Sequence, residues 1–108
     1  MDSYVFREFG AANADNLANF DGNNWDSLRF DNAAFTALGA DGRLGAGDAR
    51  FFAGAAATSG HDADDRIVYN TSSGQLYYDA DGAGGADAQL VATIQGAAAV
   101  AAPDIWVI

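Results

Sequence analysis

The chain of 108 residues contains no cysteine, no lysine and a single proline. Without cysteine it cannot form a disulfide framework, a thiolate metal site or a cysteine nucleophile. Five arginines face fifteen acidic residues, and the resulting formal net charge of −10 argues against nucleic acid as a partner. No apolar run approaches the ~20 residues that a membrane-spanning helix needs, so we expect no stable membrane insertion.

The acidic residues are of one kind, because all of them except Glu8 are aspartates. They stand beside glycine and asparagine rather than on helical faces. Short carboxylates in turns suit hard cations such as calcium, which takes ~6–8 oxygen ligands. Acidic solubility combined with turn-forming aspartate explains the same composition without a metal.

Alternation of apolar and polar residues predicts a mainly β domain. Residues 67–69, 75–80 and 88–94 read as three strands, separated by turns rich in glycine, serine and aspartate. Aromatic and β-branched runs joined by such turns are typical of hairpins, so we predict a β-meander over residues 66–93. Half of the residues are hydrophobic, but alanine supplies nearly half of these, so we expect a thin core resting on the aromatic rings.

The remaining elements are predicted to be short. We expect strands over residues 2–6 and 25–30, and an extended segment over 15–20. A short helix can begin at residue 31 or 32, with Phe35 and Leu38 on one face, and end at Gly39. An alanine-rich turn or helix over residues 96–102 should end at Pro103.

Motifs for phosphate binding, calcium-loop chemistry and catalysis are incomplete. Asp87 stands at the third glycine position of a dinucleotide-type loop that begins at Gly82, and a Walker loop needs a lysine. An EF-hand beginning at Asp79 would have Leu90 where a bidentate glutamate is required. His61 is the single histidine, lies in a predicted surface loop and has no nucleophile elbow nearby, so we expect no enzyme activity from this domain alone.

Four segments occur in a distinctive order: residues 65–70 (DRIVYN), 74–82 (GQLYYDADG), 91–94 (VATI) and 104–108 (DIWVI). This order resembles the C-terminal end of RTX proteins, the calcium-binding bacterial proteins of type I secretion that include serralysin proteases and haemolysins. Residues 2–6 look like the tail of a last glycine-rich nonapeptide, and residues 15–20 and 26–30 are similar to the segments that follow it. The resemblance covers nearly the whole chain.

The resemblance implies a fold: a small β-meander or β-sandwich-like cap with one or two short helices, following the end of a parallel β-roll. The chain would be one capping domain, built from the end of the roll with flanking strands (1–30), a short helix and loops (31–64), the meander (65–95) and a secretion signal segment (96–108). An open roll end exposes unpaired strand edges, and a cap would keep it soluble.

The resemblance also implies a secreted, extracellular protein. Residues 1–7 lack the basic flank and apolar stretch of an N-terminal signal peptide. Instead, an uncleaved C-terminal signal would be read by a type I secretion ABC transporter, and upstream RTX repeats of the same chain would be the second partner. The signal residues are expected to be Asp104, Ile105, Trp106, Val107 and Ile108, although an edge strand with two side chains packed on the core explains the same segment.

Calcium is the cofactor that the resemblance implies, with Asp2, Asp15 and Asp26 as candidate ligands. Asn19 stands where the family usually has an aspartate, so calcium there would lose one charge. No complete glycine-rich repeat is present, which places the regular calcium sites in upstream sequence.

Asp79 and Asp81 are further candidate ligands, but they can equally be turn residues of the hairpin. Two other roles remain open for the domain: an accessory part of a secreted hydrolase (metalloprotease or lipase), or a carbohydrate- or surface-binding module that uses Trp25, Tyr77 or Tyr78. Such a module needs an exposed aromatic platform, and we expect these rings to be at least partly buried.

Overall fold

The computed structural model describes residues 3–8, 15–18, 20–21, 26–82 and 88–108. Its strands are β1 (Ser3–Phe6), β2 (Asp15–Leu17), β3 (Ser27–Phe30), β4 (Gly42–Arg43), β5 (Phe51–Gly54), β6 (Ile67–Asn70), β7 (Gln75–Tyr78), β8 (Gln89–Ile94) and β9 (Ile105–Val107). In the described ranges, 3₁₀ turns lie at Thr36–Leu38, Gln95–Ala97 and Ala102–Asp104. The mainly β prediction is confirmed.

The strands form two sheets. Sheet 1 has the order β1-β3-β9-β4, in which β1, β3 and β9 are parallel and β4 is antiparallel to β9. Sheet 2 has the order β2-β8-β7-β6-β5, with β2 parallel to β8 and β5 parallel to β6. Its three central strands, β6, β7 and β8, run antiparallel and make the predicted meander.

A line of aromatic rings connects the two sheets through the core. Phe6 and Phe30 of sheet 1 lie with ring centroids 5.1 Å apart, and Phe35 meets Phe30 edge-on at 5.1 Å. Phe35 then contacts Tyr78 of sheet 2, also edge-on, at 5.0 Å. Edge-to-face pairs at this spacing are favourable beyond the area that they bury. These rings link the two sheets, but most of the buried hydrophobic residues are aliphatic, so the core does not rest on the aromatic side chains alone, contrary to what the composition had indicated.

The helix predicted to begin at residue 31 or 32 is replaced by a turn and the single 3₁₀ turn Thr36–Leu38. The Asp31 carboxylate accepts the N–H of Ala33, and the Asp31 carbonyl accepts the N–H groups of Ala34 and Phe35, which makes one capped turn. The turn continues with a 3₁₀-type bond from the Leu38 N–H to the Phe35 carbonyl, not as an α-helix. The apolar spacing itself was informative, since Phe35 and Leu38 are both buried. A separation of three residues suits one turn of 3₁₀ geometry.

Three further expectations are corrected. Pro103 does not end a helix but lies inside the 3₁₀ turn Ala102–Asp104, where a missing N–H costs nothing in a first turn. Strand β4 occupies the middle of a segment predicted as loop. The alternation predicted along β8 is interrupted by a register shift opposite Leu76 and Tyr77, so Val91 is buried together with Ala92.

Strand β9 is not at an edge of the sheet. It lies between β3 and β4, with Leu28 paired to Ile105 and Gly42 paired to Val107. Ile105 and Val107 are buried, as the packing interpretation of this segment expected. The C-terminal segment is therefore an interior strand of sheet 1.

Candidate functional site

Of the metal ligands predicted near the start of the chain, the structure describes Asp15 and Asp26. Asp2 and Asn19 lie outside the described residues. Asp15 is exposed on β2, beside a pocket of about 200 Å³ at the end of β1 that is also lined by Arg7 and Glu8. In the described ranges, the His and acidic side chains that come together as a group of three do not include Asp15 or Asp26.

Asp26 is buried and is hydrogen-bonded to Asp21. Its Oδ2 accepts the N–H of Asp21 at 3.0 Å, while its own N–H donates to the Asp21 carbonyl at 3.2 Å. This reciprocal pair brings the chain into β3. Asp26 therefore has a structural role, its two hydrogen bonds with Asp21, which the sequence did not indicate.

Asp79 lies at the end of β7 and is fully buried. Its Oδ2 accepts the N–H of Gly60 at 3.0 Å, and its Oδ1 accepts the N–H of Asp81 at 3.4 Å. A buried carboxylate needs such donors to offset its desolvation. Of the two interpretations offered for Asp79 and Asp81, the hairpin-turn one describes these contacts.

The loop that joins β5 to β6 packs directly on the loop after β7. A Cβ atom added at Gly60 would lie 2.9 Å from the carbonyl group of Gly82, and one added at Gly82 would lie 2.5 Å from the carbonyl oxygen of Asp62. Gly82 also has a positive φ of 67°. The two loops therefore touch through their backbones, and glycine is required at both positions.

His61 lies at the centre of this contact and is held from two sides. Its N–H donates to Asp65 Oδ2 at 2.9 Å, and its ring Nδ1 lies 2.5 Å from the same oxygen. The other face of the ring stacks on Phe52, with centroids 3.9 Å apart and 27° between the planes. His61 is an exposed loop residue, as predicted, but its ring is fixed rather than free.

The carboxylates beside His61 differ sharply in environment. Asp65 is 2% exposed, whereas the Asp62 side chain is 56% exposed. Burial acts to raise the pKa of Asp65, but hydrogen bonds from the His61 main chain and ring, and an interaction with Asp62, outweigh it and lower the pKa below its usual value. Asp65 thus carries a negative charge that is held close to the imidazole.

Asp62 completes a group of three potential metal ligands. Its Oδ2 lies 3.8 Å from His61 Nε2, and its Oδ1 accepts the N–H of Asp64 at 3.0 Å. One ligand atom from each of His61, Asp62 and Asp65 falls within 4.8 Å of the others. The sequence does not predict this group, because the loop matches no known metal-binding motif. The available signal was the spacing of His61 and Asp65, four residues apart.

The predicted secretion signal residues have distinct positions around β9. Asp104 closes the preceding 3₁₀ turn, where its Oδ2 accepts the N–H of Ala101 at 2.9 Å. Ile105 and Val107 are buried. Ile108 donates its N–H to the Phe30 carbonyl at 2.9 Å and accepts the Asn32 N–H at 2.8 Å.

Trp106 points to the other face of sheet 1. Its ring lies between two guanidinium groups, 5.1 Å from that of Arg29 and 5.7 Å from that of Arg43. Both arginines are its register partners on the neighbouring strands. Cation–π contacts of this kind hold the ring in place on the sheet surface.

The aromatic platform needed by a carbohydrate- or surface-binding module is not formed by the predicted tyrosines. Tyr78 is 3% exposed, and its hydroxyl accepts the N–H of Ala37 at 2.9 Å. Tyr77 is half-buried and donates to Gln75 Oε1 at 2.9 Å. Trp25 lies outside the described residues.

Comparison of the chain with protein-family models, curated proteins and solved structures gives no match. Among the helical segments of the described residues, none has the length and apolar character needed to cross a membrane.

Proposed function

We propose that this domain closes the downstream end of a parallel β-roll in a secreted RTX-type protein, and that its C-terminal segment serves as a type I export signal. The proposed role is structural and requires no catalytic group in the domain. The resemblance of the sequence to RTX C-terminal regions suggests this role. One feature of the strand topology supports it most directly.

That feature is the way in which the chain enters the two sheets. It passes from β1 in sheet 1 to β2 in sheet 2, and then returns to sheet 1 as β3, which pairs in parallel with β1. Alternation between two sheets with parallel return is the winding of a β-roll. Both β1 and β2 are terminal in the strand order of their sheets. A preceding turn of roll could therefore add one parallel strand to each sheet.

The two edges of sheet 1 differ in the way that a cap requires. Strand β1 has the sequence Ser-Tyr-Val-Phe, without charge or proline, and Val5 is 41% exposed. Strand β4, at the opposite edge, has two residues and carries Arg43. Short, charged strands discourage further pairing, whereas an uncharged regular edge invites it. Sheet 1 is thus suited to continue on the β1 side and to end on the β4 side.

Calcium enters the proposal through the upstream repeats. Ion binding to folded repeats outside the cell would add folding free energy, because the ion binds only the folded state. The cap would supply the hydrogen-bonded surface on which the last repeat rests. Asp15 and its pocket lie on the β1 and β2 side of the domain, where such a repeat would join.

Export of the parent protein from cells that carry a matching type I transporter tests the signal. Deletion of residues 104–108 should abolish export. The deletion also removes the interior strand β9, so a matched folding control is needed. Leu76→Ala, in the buried part of β7, leaves the C-terminal segment intact and should lower stability by about 2–5 kcal/mol.

The signal proposal requires that Leu76→Ala is exported as well as the parent. Full export of the deletion variant would contradict it. Equal loss of export in both variants would show that folding of the domain, rather than the segment itself, is what export needs, and would also contradict it.

A further inference from the structure

We propose that the loop between β5 and β6 carries a transition-metal site of the zinc type, in which His61 Nε2 and the Asp62 carboxylate bind the ion and Asp65 positions the imidazole. This site is separate from calcium binding and does not depend on the capping role.

The two ring nitrogens of His61 have different surroundings. Nδ1 is engaged by Asp65 Oδ2 at 2.5 Å, and Asp65 is almost completely buried. A carboxylate that accepts from one imidazole nitrogen leaves the other as the lone-pair donor, which is the usual arrangement behind a metal-bound histidine. Stacking on Phe52 fixes the ring plane. Nε2 is therefore the nitrogen that faces outward as a ligand.

The two carboxylate oxygens of Asp62 also have different surroundings. Its Oδ1 is held by the Asp64 N–H at 3.0 Å, which leaves Oδ2 directed towards His61 Nε2 at 3.8 Å. Zinc binds imidazole nitrogen and carboxylate oxygen at about 2.0–2.2 Å, and a tetrahedral angle would bring these atoms to a separation of roughly 3.4 Å, so a small rotation of the exposed Asp62 side chain towards Nε2 allows one ion to bridge them. The side chains of His61 and Asp62 are more than half exposed, which gives water access to the remaining positions.

The loop that carries His61 is held in place by the end of β7. Asp79 binds the N–H of Gly60, and the backbones of Gly60 and Gly82 are in direct contact. The residue before His61 is thus attached to the end of β7. Ligands that are already held in place lose less conformational entropy when the ion binds.

The choice of metal follows from the donor set. Imidazole nitrogen suits zinc, copper and nickel, whereas calcium takes oxygen ligands in larger number. The two neighbouring carboxylates and the net charge of −10 favour any cation, but only the imidazole discriminates among them. Zinc should therefore bind where calcium does not.

The experiment uses the fact that the chain has one histidine. The protein is stripped with chelator and titrated with zinc chloride, while NMR follows the ring nitrogen and carbon resonances of His61. We expect a saturable shift at one ion per chain, larger at Nε2 than at Nδ1. Calcium chloride at the same concentration should leave these resonances in place.

A matched pair of variants separates ligation from general charge. Asp62→Asn and Asp64→Asn each remove one negative charge from the same exposed loop. We expect Asp62→Asn to weaken zinc binding about 10-fold or more, and Asp64→Asn to change it little. Asp65→Asn should weaken binding by about 10–100-fold and alter the Nδ1 resonance in the absence of metal, because it removes the carboxylate behind the ring.

Three results would overturn the proposal. The first is the absence of a saturable shift with zinc at millimolar concentration, and the second is a calcium-induced shift of the ring as large as that with zinc. The third is an equal weakening of binding by Asp62→Asn and Asp64→Asn, which would indicate attraction to charge alone. None of these results bears on export or capping, so failure here is distinguishable from failure of the proposed function.

Discussion

Buried carboxylates organise the loops of this protein at the scale of single residues. Asp79 accepts the Gly60 N–H, and Asp65 accepts both the main chain and the ring of His61. Aspartate is suited to this task because its short side chain reaches backbone N–H groups in tight turns. Several of the aspartates that suggested calcium are therefore committed to backbone contacts.

The lowered pKa of Asp65 leads to a prediction about acid stability. Because the folded-state pKa lies below the ordinary value of 3.8, ionised Asp65 contributes stability that is complete above that value and is lost as pH falls through the folded-state pKa. Asp65→Asn should lower the free energy of unfolding at neutral pH by about 1–3 kcal/mol. The difference from the parent should shrink at acid pH, where Asp65 is itself neutral.

Urea unfolding between pH 7 and pH 2.5, roughly the range over which aspartates titrate, measures this difference. Thr58→Ala, an exposed and uncharged change in the same loop, should stay parallel to the parent. Asp48, whose pKa the hydrogen-bonded Arg50 guanidinium lowers, keeps some acid dependence in every variant. A gap between Asp65→Asn and the parent that is constant with pH would contradict the prediction.

At the scale of elements, the β7–β8 pairing depends on one glycine. Gly74 has a positive φ of 79°, and its carbonyl accepts the N–H of Ile94 at 2.6 Å. A Cβ atom at this position would overlap the carbonyl oxygen of Ile94. Gly96 has a similar φ of 74°, but a Cβ atom added there would have no other atom within 4 Å.

These two glycines make a matched test of close packing. Gly96→Ala carries only the left-handed backbone penalty, about 1–2 kcal/mol. Gly74→Ala carries that penalty and a steric overlap as well, so we expect it to cost about 1–3 kcal/mol more. Thermal and urea unfolding of both variants measure the difference. Equal destabilisation would mean that the chain relieves the overlap without cost.

The meander could be predicted from sequence because its pairing is local. Residues 67–69 are β-branched and aromatic, residues 75–78 alternate in burial, and Asn70 beside the turn accepts the N–H groups of Ser72 and Ser73 through its Oδ1. The parallel pairing of β3 with β9 joins segments far apart in sequence, and no short pattern encodes it. For the same reason the sequence alone suggests an edge strand where β9 is an interior strand.

The group formed by His61, Asp62 and Asp65 could not be predicted, because these side chains come together only when the loop folds. Burial of Asp65 and the stack of His61 on Phe52 depend on how the loop packs, not on its composition. Phe52 is on β5, and alternation there is too short to predict a face.

At the scale of the whole molecule, the dominant feature is charge. A net charge of −10 is carried by a molecule with a radius of gyration of 12.2 Å. At 0.1 M ionic strength the screening length is about 10 Å, so much of this charge repels itself at low salt. The folded state should therefore be less stable in dilute buffer than its core implies.

We accordingly expect sodium chloride to raise the melting temperature. A gain of roughly 1 kcal/mol between very low and moderate salt corresponds to about 4–8 °C for a domain of this size. The double variant Glu8→Gln/Asp64→Asn, which changes two exposed acids, should show a smaller gain because it has less charge to screen. A melting temperature that is independent of salt, or equal gains in both proteins, would contradict this expectation.

The interior position of β9 also sets the timing of folding during synthesis. Strand β4 and strand β3 can meet only through β9, so sheet 1 is incomplete until Val107 has left the ribosome. Pairing between segments so far apart gives a high contact order, and proteins of this kind fold on the order of milliseconds to seconds rather than microseconds. Closure of sheet 1 therefore waits for a strand that is made long after β1 and β3.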